Sequence, residues 1–271
     1  MNHRLATSDA VATAFGARAK RATVLARASP RAKEILRFVA DLCEEQRRVA
    51  AELERRHRER EFTGSLETDA ERLLDLLPAI ARFAARAGPA ALAALARGLA
   101  DEPPETTRTR LVACWVGGRT AAESYLARAQ LRPYLELLRV ATLLPDRPHA
   151  RGRCPFCGGF PSLSCRRGAS ESDGAARFLF CASCGLEWSF GRILCPSCFE
   201  ADPRKLPAFT DRAHPNAAIE ACETCRRYVK SIDLSADARL VPEIDELESL
   251  ALDLWAAEQG FERTEIGAAG I

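Results

Sequence analysis

The sequence runs to 271 residues and is 47% hydrophobic, enough for a sizeable core in one or two domains with small appendages. A formal net charge of only +2 argues against a global electrostatic footprint for nucleic acid, so no nucleic-acid partner is expected. No apolar segment approaches the roughly 18 to 20 residues that cross a bilayer, which excludes stable membrane insertion by a helix.

Residues 1–30 carry Arg4, Arg18, Lys20, Arg21 and Arg27 but no apolar run long enough for a signal peptide. Such an Arg- and Ala-rich start also fits an organellar transit peptide, but the whole chain shares that composition. The expectation is a soluble cytoplasmic protein kept in a reducing compartment.

Up to Pro148 the chain reads as helix almost throughout. Ser29 followed by Pro30 is a helix start, and Ile35, Phe38, Val39, Leu42, Val49 and Leu53 mark one apolar face as far as Arg60. The run Arg55 to Arg60, with His57 inside it, reads as a solvated helix face. A second start falls at Thr68, where Glu71 completes a capping box ahead of Leu73, Leu74, Leu76 and Leu77, and Gly88-Pro89 ends that unit. After the loop Asp101 to Pro104, a third unit runs from Thr107 through Tyr134 to Leu144, interrupted at Gly117-Gly118. Residues 1–148 are therefore assigned to a helical bundle.

Beyond residue 149 the texture changes to Gly, Cys, Ser and aromatic residues, with four Cys-x-x-Cys pairs on an internal repeat. Cys154/Cys157 and Cys181/Cys184 are separated by 23 residues, as are Cys195/Cys198 and Cys222/Cys225, and the second set repeats the first at an offset of 41. A four-thiolate site needs two short knuckles face to face and takes zinc or iron at sulfur distances near ~2.3 Å. Two identical spacings predict two metal sites, as two small zinc-ribbon β modules over 149–191 and 192–232. Disulfides are the competing use of these cysteines, and an alternating cross-brace is the competing ligand grouping.

Pro155 and Pro196 favour tight turns within two knuckles, and Gly158 and Gly185 just after two others allow left-handed dihedrals that aim N–H groups at sulfur. Phe199 and Arg226 stand where glycine is expected, so the second site is predicted to be more strained or differently hydrogen-bonded, with its ligands unchanged. Strand-like runs such as Arg177 to Phe180 and Trp188 to Phe190 predict a small antiparallel sheet clipped by each metal. Modules of ~40 residues bury too little apolar surface to fold alone, so metal binding would supply much of their folding free energy.

Residues 233–271 resume a helical pattern and a tail: Ile244, Leu247, Leu250, Ala251, Leu254 and Trp255 form a stripe that Gly260 closes. The nearby Glu243, Asp245, Glu246, Glu248 and Asp253 argue against a membrane-surface helix.

No catalytic constellation competes, so no enzyme activity is expected. His3 lies in a loose terminus, while His149 and His214 adjoin prolines in loops near the ribbons. Cys43 and Cys114 read as small apolar residues, and Cys165 as a structural thiol close enough to the first site to exchange as a ligand. Aromatics such as Phe156, Phe160, Trp188 and Phe199 beside Arg166, Arg167, Arg192, Arg226 and Arg227 could stack bases. The simpler account is that arginines offset the charge of about −2 carried by each four-thiolate site. A zinc-ribbon nucleic-acid binder and an electron-transfer protein are the alternative functions to an interaction protein.

Particular residues carry a family resemblance. The run Cys154 to Pro161, the stretch Arg177 to Cys184 with Glu187-Trp188, and Cys222 to Cys225 with Tyr228-Val229-Lys230 resemble the formate dehydrogenase accessory proteins of the FdhE type. Phe15 to Arg18 with Arg21, Leu25-Ala26, Ser29-Pro30, Phe38 and Gln46 resemble the family's first helices. Asp233-Leu234, Pro242, Asp245, Leu247, Ser249 to Asp253 and Glu258 to Phe261 with Arg263 resemble its end. The chain departs from the pattern at Glu246, where aspartate usually follows aspartate, and in the missing second-ribbon glycines. The resemblance implies a cytoplasmic maturation factor with two rubredoxin-like sites that favour iron, zinc being the alternative. It implies as partner the catalytic subunit of a respiratory formate dehydrogenase, attended before export.

Overall fold

The computed structural model describes residues 9–116, 122–147, 149–168, 175–235 and 237–267. The expectations for His3, Arg4, Gly117-Gly118 and Pro148 lie outside these residues. The chain forms two compact units, one built mainly from helices before residue 150, the other from the ribbons and C-terminal helix together with residues 24–36.

Seven helices precede the ribbons among the described residues: α1 (Ala10–Ala28), α2 (Lys33–Glu59), α3 (Leu66–Asp69), α4 (Pro78–Ala87), α5 (Ala90–Ala100), α6 (Pro104–Trp115) and α7 (Ala122–Val140). The apolar face of α2 buries Phe38, Val39, Leu42, Val49 and Leu53 as its period requires, with Ile35 half-buried at its start. Leu73, Leu77, Ile80, Leu126 and Tyr134 complete the core of this unit. Asp69, itself buried, accepts from the Thr63 N–H at 2.9 Å, the Gly64 N–H at 3.2 Å and the Tyr134 hydroxyl at 2.5 Å.

Helix starts differ from the expected ones for local reasons. Ser29 does not cap α2, which begins at Lys33, because its hydroxyl donates to Glu248 instead. Ser65, not Thr68, caps α3, since its Oγ accepts from the Thr68 N–H at 3.4 Å. The leucines after Glu71 lie in turns that follow a 3-10 helix (Ala70–Arg72), until Pro78 restarts an α-helix as its first residue. Pro104 likewise opens α6 rather than ending a loop. The Arg55 to Arg60 run is only partly solvated: Arg56 pairs with Asp75 at 2.6 Å, and the half-buried His57 accepts from the Phe62 N–H at 3.1 Å. Burial lowers the pKa of His57 below its ordinary value.

The second unit is organised by strands β1 (Pro161–Arg167), β2 (Ala176–Cys181), β3 (Glu187–Ser189), β4 (Ala208–Asp211), β5 (His214–Cys222), β6 (Arg227–Asp233) and β7 (Glu262–Arg263). Each ribbon is antiparallel, with Cys165 opposite Phe178 in the first and Ile219 opposite Lys230 in the second. The two are not separate sheets. β1 pairs in parallel with β6, Leu163 opposite Lys230 through Arg166 opposite Asp233, giving the continuous order β3-β2-β1-β6-β5-β4 with β7 beside β6.

On this sheet lie α8 (Pro242–Asp245), a 3-10 turn (Glu246–Ser249) and α9 (Leu250–Glu258), closed by Gly260 at φ +75°. Leu163, Cys165, Phe180, Ile219, Tyr228, Ile232, Leu252, Ala256 and Phe261 form the common core. The predicted stripe shifts phase: Ile244 and Leu247 are buried, but Leu254 is 68% exposed and Leu252 and Ala256 turn inward. A 3-10 turn advances three residues per turn rather than 3.6, so faces read on one continuous α period slip across it.

Glu243, Asp245, Glu246 and Asp253, the acidic residues that argue against a membrane-surface helix, are buried as well. Lys230, 0% exposed, donates to the Glu246 carbonyl at 3.1 Å and lies 3.6 Å from the Glu246 carboxylate, and it is paired with Asp253. Arg263 pairs with Glu246 and lies 3.4 Å from Asp253, and the Tyr228 hydroxyl donates to Asp253 at 2.9 Å. Two cations and two carboxylates thus balance inside the protein, with Glu246 beside both cations. Gly267 closes against them, because a Cβ there would meet Glu246 Oε1 at 2.2 Å. Among the described residues no helix is long and apolar enough to cross a membrane.

Candidate metal centre

Each Cys-x-x-Cys pair is held by the same backbone turn. The first cysteine of each pair faces the residue five positions on: Cys154 N–H to Gly159 O, Cys181 N–H to Leu186 O and Cys195 N–H to Glu200 O, all at 2.9 Å, with Cys222 opposite Arg227 in the ladder. The residue after the second cysteine is left-handed in all four: Gly158 at φ +68°, Gly185 at +67°, Phe199 at +63° and Arg226 at +56°. The turn therefore demands the conformation that glycine supplies freely, and the two side chains in the second site carry a cost of about 1–2 kcal/mol each. The Arg151 guanidinium sits 4.2 Å over the Phe199 ring, and Arg226 sits 3.9 Å over Phe261. These stacked contacts offset part of that cost.

The sulfurs of Cys154, Cys157, Cys181 and Cys184 lie within 4.8 Å of one another, as do those of Cys195, Cys198, Cys222 and Cys225. This is the ribbon grouping and not the cross-brace. Cys154 to Cys184 is 3.7 Å, Cys195 to Cys225 3.7 Å and Cys198 to Cys222 3.6 Å. A regular tetrahedron with metal–sulfur bonds of ~2.3 Å has sulfur–sulfur edges of about 3.8 Å, whereas a disulfide needs about 2.05 Å. None of the eleven cysteines forms a disulfide. The donor set and spacing fit a metal ion at each quartet, so two ions could be held.

Backbone donors point at sulfur as such a site requires: Ser183 N–H to Cys181 Sγ at 3.3 Å and Ser197 N–H to Cys195 Sγ at 3.4 Å. Within the second quartet, burial pushes the Cys195 and Cys225 thiols up. At Cys222 burial acts the same way, but N–H groups of Cys225 and Thr224 and the neighbouring Cys198 outweigh it and hold that thiol below its ordinary range.

The remaining candidates separate from the quartets. Cys165 is fully buried in the β1 core, where burial raises its pKa far above that of a free thiol; it is a packing residue. Cys43 is buried as expected, and Cys114 only half-buried. His149 Nε2 lies 3.1 Å from the Phe156 carbonyl and His214 Nδ1 3.0 Å from Asp211. Among the described residues, neither belongs to a metal-ligand cluster. Several arginines find partners other than sulfur: Arg166 and Arg177 converge on Glu220 at 3.1 and 2.8 Å, and Arg167 meets Glu187 at 2.7 Å.

Two supports have no motif to announce them. Glu200 accepts from the Thr224 hydroxyl at 2.6 Å and from the Asp202 N–H at 2.9 Å, tying the two knuckles of the second site together. Gly152, at φ +75°, passes so near the Cys195 knuckle that a Cβ would meet Pro196 O at 2.5 Å and the Phe199 ring at 2.9 Å. The only signals available were a carboxylate two residues past a Cys pair and a glycine two before one.

Two family models match this region: the FdhE central domain over residues 153–192 and the FdhE C-terminal domain over 193–268. Among curated relatives, an FdhE homolog of Aquifex aeolicus is 38% identical over 112 residues, 41% of this chain and 39% of its own length. One from Pectobacterium carotovorum is 32% identical over 135 residues, 47% of this chain and 42% of its own. The match thus spans about two fifths of those relatives. The crystal structure of the FdhE protein from Pseudomonas aeruginosa superposes with a TM-score of 0.69 over 94% of both chains at 24% identity, a likeness of fold. Residues 153–268, which hold both quartets, are thus similar to the central and C-terminal domains of the FdhE family.

Proposed function

We propose that the chain is a cytoplasmic accessory protein for maturation of a respiratory formate dehydrogenase, that it holds the enzyme's catalytic subunit before export, and that it acts by recognition rather than by catalysis. The observation that carries the reading is the family match over residues 153–268, which includes both cysteine quartets. Cys154, Cys157, Cys181 and Cys184 would hold one ion, and Cys195, Cys198, Cys222 and Cys225 the other. Iron is favoured by the family resemblance and zinc is the alternative. When bound, each ion cross-links two knuckles and supplies folding free energy to the ribbons. With four protein sulfurs at each site no position remains for water or substrate, which supports a structural role.

The test is a pull-down of the catalytic subunit with Cys154→Ala and Cys222→Ala. Both variants are expected to lose the subunit while the circular dichroism of the helices persists. Normal capture by both would refute the reading. Elemental analysis of the anaerobically purified protein distinguishes iron from zinc, and visible colour that develops on oxidation marks ferric thiolate.

A further inference from the structure

The two quartets share a spacing but not an environment. Cys154, Cys157, Cys181 and Cys184 each have 0% of their surface exposed. In the second quartet Cys195 and Cys222 are buried, Cys225 is half-buried and Cys198 is exposed. The backbone differs in the same direction. Glycine occupies both left-handed positions of the first site, whereas Phe199 and Arg226 occupy those of the second. That strain must be borne by the closed site, and it is released if the knuckle opens.

We infer that the first quartet is a permanent staple, whereas the second exchanges its metal and is the place where the chain meets thiol-directed reagents, Cys198 being the sulfur attacked first. This deepens the reading that both quartets hold metal, and it rests on it. Exchange at a closed four-thiolate site begins when one sulfur becomes accessible to an incoming group. In the first quartet no sulfur is accessible. In the second, Cys198 offers a sulfur at the surface, and loosening its knuckle lets Phe199 leave the left-handed region. With an alkylating agent such as iodoacetamide, the Cys198 thiolate forms a carbon–sulfur bond as iodide departs with the electron pair of the broken carbon–iodine bond. The thioether so formed has lost its negative charge, and three thiolates remain. Exposure and thiolate character together select such a cysteine over buried ones.

The experiment uses the full chain reconstituted anaerobically with zinc ion. Zinc per chain is counted by native mass spectrometry before and during exposure to limiting iodoacetamide, and labelled cysteines are mapped at each time. One zinc is expected to leave about tenfold or more ahead of the other, the factor that one left-handed side chain represents. The earliest label within the quartets should fall on Cys198, with Cys165 and the four first-site cysteines unlabelled in that phase. Label at Cys114, which is half-buried and belongs to neither quartet, is scored separately. Loss of both ions at one rate, or first-site label ahead of Cys198, would overturn the inference. If the chain takes only one zinc, protection of the first quartet supports it and protection of the second refutes it. A chain that takes no zinc at all fails at time zero, which defeats the two-metal reading itself and the inference with it.

Discussion

Replacing Lys230 by methionine tests the buried charge balance beneath the C-terminal helix. Methionine keeps most of the side chain's volume, so packing changes little and the loss is electrostatic. Arg263 then faces both Glu246 and Asp253 alone, leaving one uncompensated negative charge, and the Glu246 carbonyl loses a 3.1 Å donor. Breaking one side of a buried ion cluster costs about 3–5 kcal/mol. The protein has one escape, which is to protonate a carboxyl that ordinarily titrates near 4; at pH 7 that costs about 4 kcal/mol, and about 1.4 less for each unit the pH falls.

The sign follows. In the variant a folded-state carboxyl has a raised pKa, so the folded state binds a proton that the unfolded state lacks, and stability falls as pH rises. Urea unfolding of the wild type and Lys230→Met should therefore differ by about 3–5 kcal/mol near pH 7, with the gap narrowing by about 1.4 kcal/mol near pH 6. Comparing both proteins at the same pH cancels the titration of thiols common to them. Adding Asp253→Asn should restore most of the loss, because one carboxylate then faces one guanidinium. A variant less than about 1 kcal/mol weaker, or one equally weakened at both pH values, would refute the account.

Two further substitutions probe the knuckles and the helical unit. Gly152→Ala places a methyl against Pro196 O and Phe199 at a left-handed position, at about 1–2 kcal/mol for the backbone alone, so metal counting should find the second quartet depleted and the first filled. Asp69→Ala strands the buried Gly64 N–H, the part-buried Thr63 N–H and the Tyr134 hydroxyl, and should lower the urea midpoint by the equivalent of about 3 kcal/mol at unchanged slope.

The quartets were legible because their geometry is local. Two cysteines three apart make a knuckle, and the demand for a left-handed residue after each pair shows as Gly158 and Gly185 and, by default, as Phe199 and Arg226. The apolar face of α2 was legible for the same reason, as a period within one helix. The parallel pairing of β1 with β6 was not, because Leu163 and Lys230 lie in different modules and nothing near either residue announces the other. The burial of the acidic residues around the start of α9 was not legible either. A run of Glu and Asp reads as a wet surface unless its countercharges are known, and here Lys230 stands on β6 and Arg263 on β7. Once a 3-10 turn is inserted, every later side chain rotates, so Leu252 rather than Leu254 meets the core.

The bond between β1 and β6 also sets an order of assembly. While the polypeptide is being made, the leading ribbon must wait for β6, the final strand of its successor. Until then β1 presents a row of unpaired amides and carbonyls, open to a neighbouring copy. A fragment stopping short of β6 would keep its four sulfurs and still lack the edge that shields it.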